Sequence, residues 1–340
     1  MNNTPNTTTE NAVNSATVPF QAIAVSHEFI AGMKPLQMLG YNPGHEYQAA
    51  VPKADPSYIL RKDFLREYRS WHNNCGEEGF MIVGPTGSGK STAPLAINAL
   101  LNIPTLLVPC HRDMTLLELK GNMQFVTDPM TNQTVTKYVL GPLARAFKYG
   151  FSIIMDEQNL LDPGVLTGFN EIIRGNTMLI EQTGEIIQRH PMFRYIATGN
   201  DWGRGDGEMR YAGINFQNTS NLQRFWKFSM GYPEAAVEEV ILATKYPVLP
   251  EPIVKGMVSI ANAVRSVTAG VGNTKEASLE VDFSTRTLLS WADKTIRFQK
   301  AGNALALGLD ICLLRACDEV ERQAINQICK DKLGDAFKEV

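Results

Sequence analysis

The chain has 340 residues, 44% of them apolar, with 32 Lys plus Arg against 35 Asp plus Glu and a formal net charge of −3. That is enough for roughly two domains of about 150 residues, with a sizeable core, and a pI near 6.0 leaves no global field to hold nucleic acid or an anionic membrane. The scattered cysteines Cys75, Cys110, Cys312, Cys317 and Cys329 form no CxxC pair, which argues against a zinc knuckle and for a reducing compartment.

The N-terminus, MNNTPNTTTENAVNSAT, has no basic start and no apolar stretch, so it does not read as a secretory signal. Residues 1 to about 18 form an Asn/Thr-rich tract that cannot bury enough apolar surface to fold alone. Residues 19 to 57 mix Pro, Gly and aromatics and read as an arm lying on something else. Ile59, Leu60, Phe64, Leu65 and Tyr68 then recur at helical spacing.

From there strands and helices alternate. Phe80 to Val83 reads as a strand, Lys90 to Leu101 as a helix, Thr105 to Val108 as a strand and Thr115 to Lys120 as the start of a helix. Ile153 to Met155 is a strand, Asp162 to Arg174 a helix and Phe193 to Thr198 a strand. Such alternation predicts an α/β fold with a parallel sheet covered on both faces. Two stretches, Gln124 to Val139 and Thr177 to Ile187, alternate around turn-rich centres and read as inserted β-hairpins. The apolar run Ala93 to Pro109 is broken by Pro94, Asn98, Asn102 and Pro104 and does not read as a membrane span.

After Pro233 the strand signals fade. Glu234 to Thr244, Ile253 to Val267, Ser284 to Lys300 and Leu305 to Cys329 read as amphipathic helices, with Gly270 to Lys275 as a loop. The expected division is an extended or disordered arm over 1–50, an α/β core over 51–232 and a small helical domain over 233–340.

Gly84, Pro85, Thr86, Gly87, Ser88, Gly89, Lys90 and Ser91, followed by Thr92, complete the pattern G-x-x-x-x-G-K-[ST] between a strand and a helix. Glycines there let backbone N–H groups curl around phosphate oxygens, and the helix N-terminus adds positive potential. Lys90 would reach the outer phosphates of ATP and Ser91 would ligate Mg²⁺. The strand Ser152 to Met155 ends in Asp156 and Glu157, which fit a carboxylate for Mg²⁺ and a base that polarises the attacking water. Alone, Asp-Glu after a strand is an ordinary helix start; beside a complete phosphate loop it reads as catalytic. Asn200 closes the strand Phe193 to Thr198 and could orient that water, a turn-capping Asn being the plain alternative.

The order GPTGSGKST, IIMDEQN, FRYIATGN, NLQRFW, FSTRT resembles the AAA+ ATPases of the MoxR group, and within it the CobS-type small subunit of cobaltochelatase, over about residues 50 to 300. The resemblance implies a P-loop αβα core followed by a helical lid. It makes Asn200 the sensor-1 residue, Arg224 an arginine finger reaching a neighbouring subunit, and Arg286 the sensor-2 residue of the lid. Gln223 stands where the family has an acid before the finger. The hairpins fall at the family's helix-2 insert and pre-sensor-1 hairpin, making Met123, Phe125 and Tyr138 candidate contacts to a client. Trp202 to Gly207 reads as a mobile loop near a subunit interface; Arg204 there, or Arg210 just beyond, could assist a neighbouring site, solvated surface arginines being the equal alternative. His111 and His190 lack partners at metal-ligand spacing.

The combined expectation is a cytoplasmic, Mg²⁺-dependent ATPase with Glu157, Asn200, Arg224 and Arg286 as catalytic residues, working as a homo-oligomeric ring, a hexamer, that remodels a partner carrying a von Willebrand A-type domain. One rival keeps the motor and makes the partner a chelatase large subunit that inserts cobalt into a corrin ring. A nucleic-acid motor is disfavoured by the net charge and by the lack of a helix-turn-helix tail. A scaffold that binds ATP without turnover is disfavoured by the intact Glu157.

Overall fold

The computed structural model describes residues 20–128, 130–202, 222–268, 279 and 281–337. The tract before Phe20, the stretch with Arg204 and Arg210, and the stretch read from sequence as a loop over Gly270 to Lys275 lie outside these residues. Within the stretch read as an arm, β1 (Ala22–His27) and β2 (Leu36–Tyr41) pair antiparallel, Ala22 opposite Tyr41. Helix α1 (Lys62–Asn73) buries Phe64, Leu65, Tyr68 and Trp71, its four large apolar residues falling on one face.

The core elements follow: β3 (Gly79–Val83), α2 (Thr92–Leu100), β4 (Thr105–Pro109), α3 (Leu116–Lys120), β5 (Gly121–Thr127), β6 (Thr134–Leu140), α4 (Pro142–Tyr149), β7 (Ser152–Asp156), α5 (Pro163–Arg174), β8 (Thr177–Ile180), β9 (Glu185–Gln188), β10 (Arg194–Gly199) and β11 (Phe225–Ser229). Five strands make one parallel sheet in the order β11-β3-β10-β7-β4. Phe80, Ile82, Ile154, Ile196 and Phe228 enter a core shared with α1 and α2. Met81, Val83, Ile153, Met155 and Ala197 enter the opposite core with α4 and α5. A sheet buried on both faces needs apolar residues at consecutive positions, which is why these strands read as continuous apolar runs.

The predicted hairpins are present as β5–β6 and β8–β9, each a separate two-stranded sheet. Met123 pairs with Tyr138 across the first, and Phe125, two residues on, is 81% exposed. Helix α4 is a further element, with Gly141 before Pro142 and left-handed Gly150 after Tyr149 punctuating its two ends.

Among its described residues the C-terminal region holds helices and no strand: α6 (Ala235–Lys245), α7 (Glu251–Thr268), α8 (Thr285–Arg297), α9 (Ala304–Cys312) and α10 (Glu319–Leu333). It has its own core around Met257, Ile260, Leu288, Trp291 and Leu309. The single helix expected over Leu305 to Cys329 is two. Asp318 starts the second with a capping box, its side chain accepting from Glu321 N–H while Glu321 accepts from Asp318 N–H, and that local bonding outcompetes continuation of the first.

Candidate functional site

The loop from Gly84 to Ser91 joins the C-terminal end of β3 to the N-terminus of α2. Gly84 runs against β11's exit: a Cβ built on it would lie 1.9 Å from the Met230 carbonyl oxygen. Gly87 has φ +73°, a left-handed conformation glycine adopts without penalty. The N–H groups of Gly87, Gly89, Lys90 and Ser91 meet no protein acceptor among the described residues, and Ser88 Oγ is buried without a partner. A run of free N–H groups at a glycine-rich turn before a helix is an arrangement that can hold an anion.

Lys90 is only 8% exposed and donates to the carbonyl oxygens of Gly84 at 2.8 Å and Pro85 at 3.0 Å and to Asn200 Oδ1 at 2.9 Å. Burial pulls its ammonium pKa down to about 8; Asp156 and Glu157 oppose that shift and Arg286 adds to it. The neighbours named by that electrostatic pattern are the sequence-predicted ones.

Asp156 ends β7, and its Oδ1 accepts from two hydroxyls, that of Ser91 and that of Thr198, the latter at 2.7 Å. Register brings Thr198 there, since β10 pairs Ala197 with Met155. The Thr198 hydroxyl also accepts from Glu157 N–H at 2.9 Å. Glu157 follows in the left-handed region at φ +57°, uncommon for a side chain of its size, and is solvent-exposed. One threonine therefore fixes both acids. The sequence signal for it is its place in the strand before Gly199-Asn200. Serine hydroxyl and carboxylate together make an all-oxygen donor set of the kind a hard divalent cation takes.

Arg286 lies in the first turn of α8, where Ser284 Oγ caps the helix by accepting from Thr287 N–H at 3.0 Å. The helix comes close to the loop: a Cβ on Gly87 would fall 2.7 Å from Ser284 Oγ and 3.2 Å from Arg286 Cβ. Between core and helical region lies a cleft of about 240 Å³, walled by Gly87, Ser88 and Thr92 on one side and by Val237, Arg286 and Leu289 on the other. Tyr58 and Ile59 close a third side; Ile59 belongs to the apolar pattern read as helical, yet the helix starts only at Lys62.

Arg224 is not part of this cluster. It precedes β11, whose first residue Phe225 pairs with Gly79 at the start of β3, so it sits at the opposite end of the sheet from the loop. Five strand residues at about 3.3 Å each put roughly 16 Å between the two ends. There Arg224 donates to the Asn170 carbonyl at 3.4 Å, its Nε is buried without an acceptor, and Glu77, Glu171 and Arg174 surround it.

Among the described residues no group of three His, Cys, Asp or Glu is arranged to hold a metal, and no helix is long and apolar enough to cross a membrane. The five cysteines are free thiols. His190 packs its ring against Gly150 and accepts from Met192 N–H at 3.1 Å, which is a structural use.

Two family models match the chain: "AAA domain (dynein-related subfamily)" over residues 79–212 and "CbbQ/NirQ/NorQ C-terminal" over residues 238–332. The chain is 27% identical over 313 residues to a protein named aerobic cobaltochelatase subunit CobS from Sinorhizobium sp, spanning 89% of this chain and 88% of that one. It is 26% identical over 192 residues to protein CbbQ of Hydrogenophilus thermoluteolus, covering 56% of this chain and 66% of that one. An uncharacterized protein of Staphylococcus epidermidis is 24% identical over 217 residues, 64% of this chain and 77% of its own.

Proposed function

We propose that this chain, which has the domain architecture of an AAA+ ATPase of the MoxR/CbbQ clade, binds and hydrolyses ATP with Mg²⁺ in the cleft between its sheet and its helical region. The observation that carries this reading is the meeting of Lys90, Ser91, Asp156, Thr198 and Asn200 beside a loop in which the N–H groups of Gly87, Gly89, Lys90 and Ser91 meet no protein acceptor. The loop from Gly84 to Thr92 would hold the phosphates, with Lys90 turning from loop carbonyls to phosphate oxygens. Ser91 and Asp156 would hold Mg²⁺, which when bound neutralises charge on the phosphate oxygens. Glu157 would take the proton of the attacking water, with Asn200 orienting that water and Arg286 bearing on the terminal phosphate.

Arg224 is assigned to the ATP of a neighbouring copy. It lies too far from its own loop to serve it. Acting across an interface implies a closed ring, for which a hexamer is the stoichiometry to test. The exposed hairpin residues Met123 and Phe125 suit contact with a client. The partner we infer is a von Willebrand A-domain protein, with the motor in the cytoplasm. A chelatase large subunit is the second reading, favoured by the name and near-full-length match of the Sinorhizobium relative.

Calorimetric titration of ATP with Mg²⁺ into wild-type protein and Lys90→Ala tests the site: binding abolished by the substitution is expected, and equal affinity in both would overturn it. Glu157→Gln held in ATP and used as bait separates the two partner readings. A von Willebrand A-domain protein retained alone supports the remodeller, and a corrin-binding large subunit supports the chelatase.

A further inference from the structure

The helical region contains a buried ion pair that its apolar core does not require. Glu238 on α6 is fully buried, and Arg265 on α7 grips it with two nitrogens, Nη1 to Oε2 at 2.7 Å and Nη2 to Oε1 at 2.9 Å. Replacing such a pair with apolar residues often costs nothing, so its value lies in fixing one arrangement over others. Every edge of this guanidinium is used. Nε donates to the Phe283 carbonyl at 2.7 Å, just before the Ser284 cap of α8, and Nη1 also reaches Asn262 Oδ1 at 3.0 Å. Glu238 Oε1 in turn accepts from Thr285 Oγ1 at 2.6 Å. The pair thus clamps the first turn of α8 from two sides, and that turn carries Arg286.

The face of the same guanidinium lies 4.3 Å from the ring centroid of Tyr232, an attractive cation–π arrangement. Tyr232 belongs to the segment joining β11 to α6, and its hydroxyl donates to the Thr86 carbonyl at 3.2 Å. Thr86 is in the phosphate loop. An unbroken chain of contacts therefore runs from the loop's backbone through Tyr232, Arg265 and Glu238 to the helix turn bearing Arg286.

We propose that Tyr232 and Arg265 are positioning residues that tie the α8 turn to the phosphate loop, so that Arg286 meets the terminal phosphate only when loop and helical region hold one relative pose. This rests on the reading of Arg286 as a contact to that phosphate. The consequence is selective. Loosening the tie weakens the grip on a triphosphate, whose outermost group Arg286 meets, and spares a diphosphate that lacks it.

Tyr232→Phe removes the hydroxyl and keeps the ring under Arg265, so the fold is retained. Calorimetric titration with ATPγS and with ADP, each with Mg²⁺, should show about fivefold weaker ATPγS binding, the size of one net hydrogen bond, and ADP binding changed by less than about twofold. In an Arg286→Ala background the same substitution should change neither. Arg265→Lys, which keeps the charge and loses the fork, should reproduce the pattern more strongly. Equal weakening of both nucleotides, a loss that persists without Arg286, or unchanged ATPγS binding would each overturn the proposal. Wild-type protein that binds neither nucleotide would sink the underlying function and the proposal together, a result distinct from the other three.

Discussion

Lys90 Nζ and Asn200 Oδ1 lie 2.9 Å apart, joining the loop after β3 to the end of β10 across the strand boundary. The ammonium is buried and its pKa is lowered to about 8 from an ordinary 10.5. A phosphate beside it would favour the charged form and raise that value again. Nucleotide binding above about pH 8 should therefore take up a fraction of a proton. Titration at pH 9 in buffers of different ionisation enthalpy reads this directly, and Lys90→Arg, charged throughout, should abolish it. No uptake in the wild type at pH 9 would sink the assignment.

The same shift has a consequence for stability. Between pH 8 and 10.5 the unfolded chain binds more protons at this lysine than the folded one, so Lys90's contribution rises with pH across that window and is smallest below it.

Thr198 holds both acids, donating to Asp156 and accepting from Glu157 N–H. Thr198→Val keeps the shape and removes the hydroxyl. Glu157 then loses the bond that supports its left-handed backbone, while the loop from Gly84 to Ser91 is untouched. We expect turnover to fall by roughly tenfold or more, since misplaced bases lose most of their effect, with ATPγS affinity within about threefold of wild type. Turnover at the wild-type rate would show that Ser91 alone orders the site.

Much of this arrangement was legible in the sequence because it depends on local features. Strands β3, β7 and β10 are buried on both faces and so read as apolar runs, and the phosphate loop declares itself by glycine spacing. What stayed hidden depends on partners far along the chain. Strand β11 buries Phe225 into one core and Phe228 into the other, an odd spacing that hides its alternation. Thr198 gains its role from strand register with β7, and Tyr232 from a residue 146 positions away. The β1–β2 hairpin is half-buried and set among Pro19, Pro35, Pro43 and Gly44, and those breakers mask its apolar strands.

Gly84 tests how tightly the loop is anchored. Its N–H donates to the Gly199 carbonyl at 3.2 Å, and an added Cβ would strike the Met230 carbonyl oxygen, a backbone atom that cannot rotate away. Gly84→Ala should push β3 from β11 at a cost of about 2–3 kcal/mol, in the range of overpacking a core. Urea unfolding followed by circular dichroism measures it, and a midpoint equal to the wild type would mean that the strands separate freely at that point.

Arg224 makes the strongest demand on assembly, since it sits at the opposite end of the sheet from its own phosphate loop. If it serves a neighbour, each active site draws Glu157 from one copy and Arg224 from the next. Glu157→Gln and Arg224→Ala should then each bind ATP and fail to hydrolyse it. Mixed, they should recover activity, because a site formed by the Glu157 of an Arg224→Ala copy and the Arg224 of a Glu157→Gln copy is whole. Random equal mixing makes about one site in four of this kind, so roughly a quarter of wild-type turnover is expected when sites work independently. Each variant alone should stay inactive at the same total concentration. An inactive mixture that still forms rings by light scattering would place Arg224 in structural service to α5, where it already meets the Asn170 carbonyl.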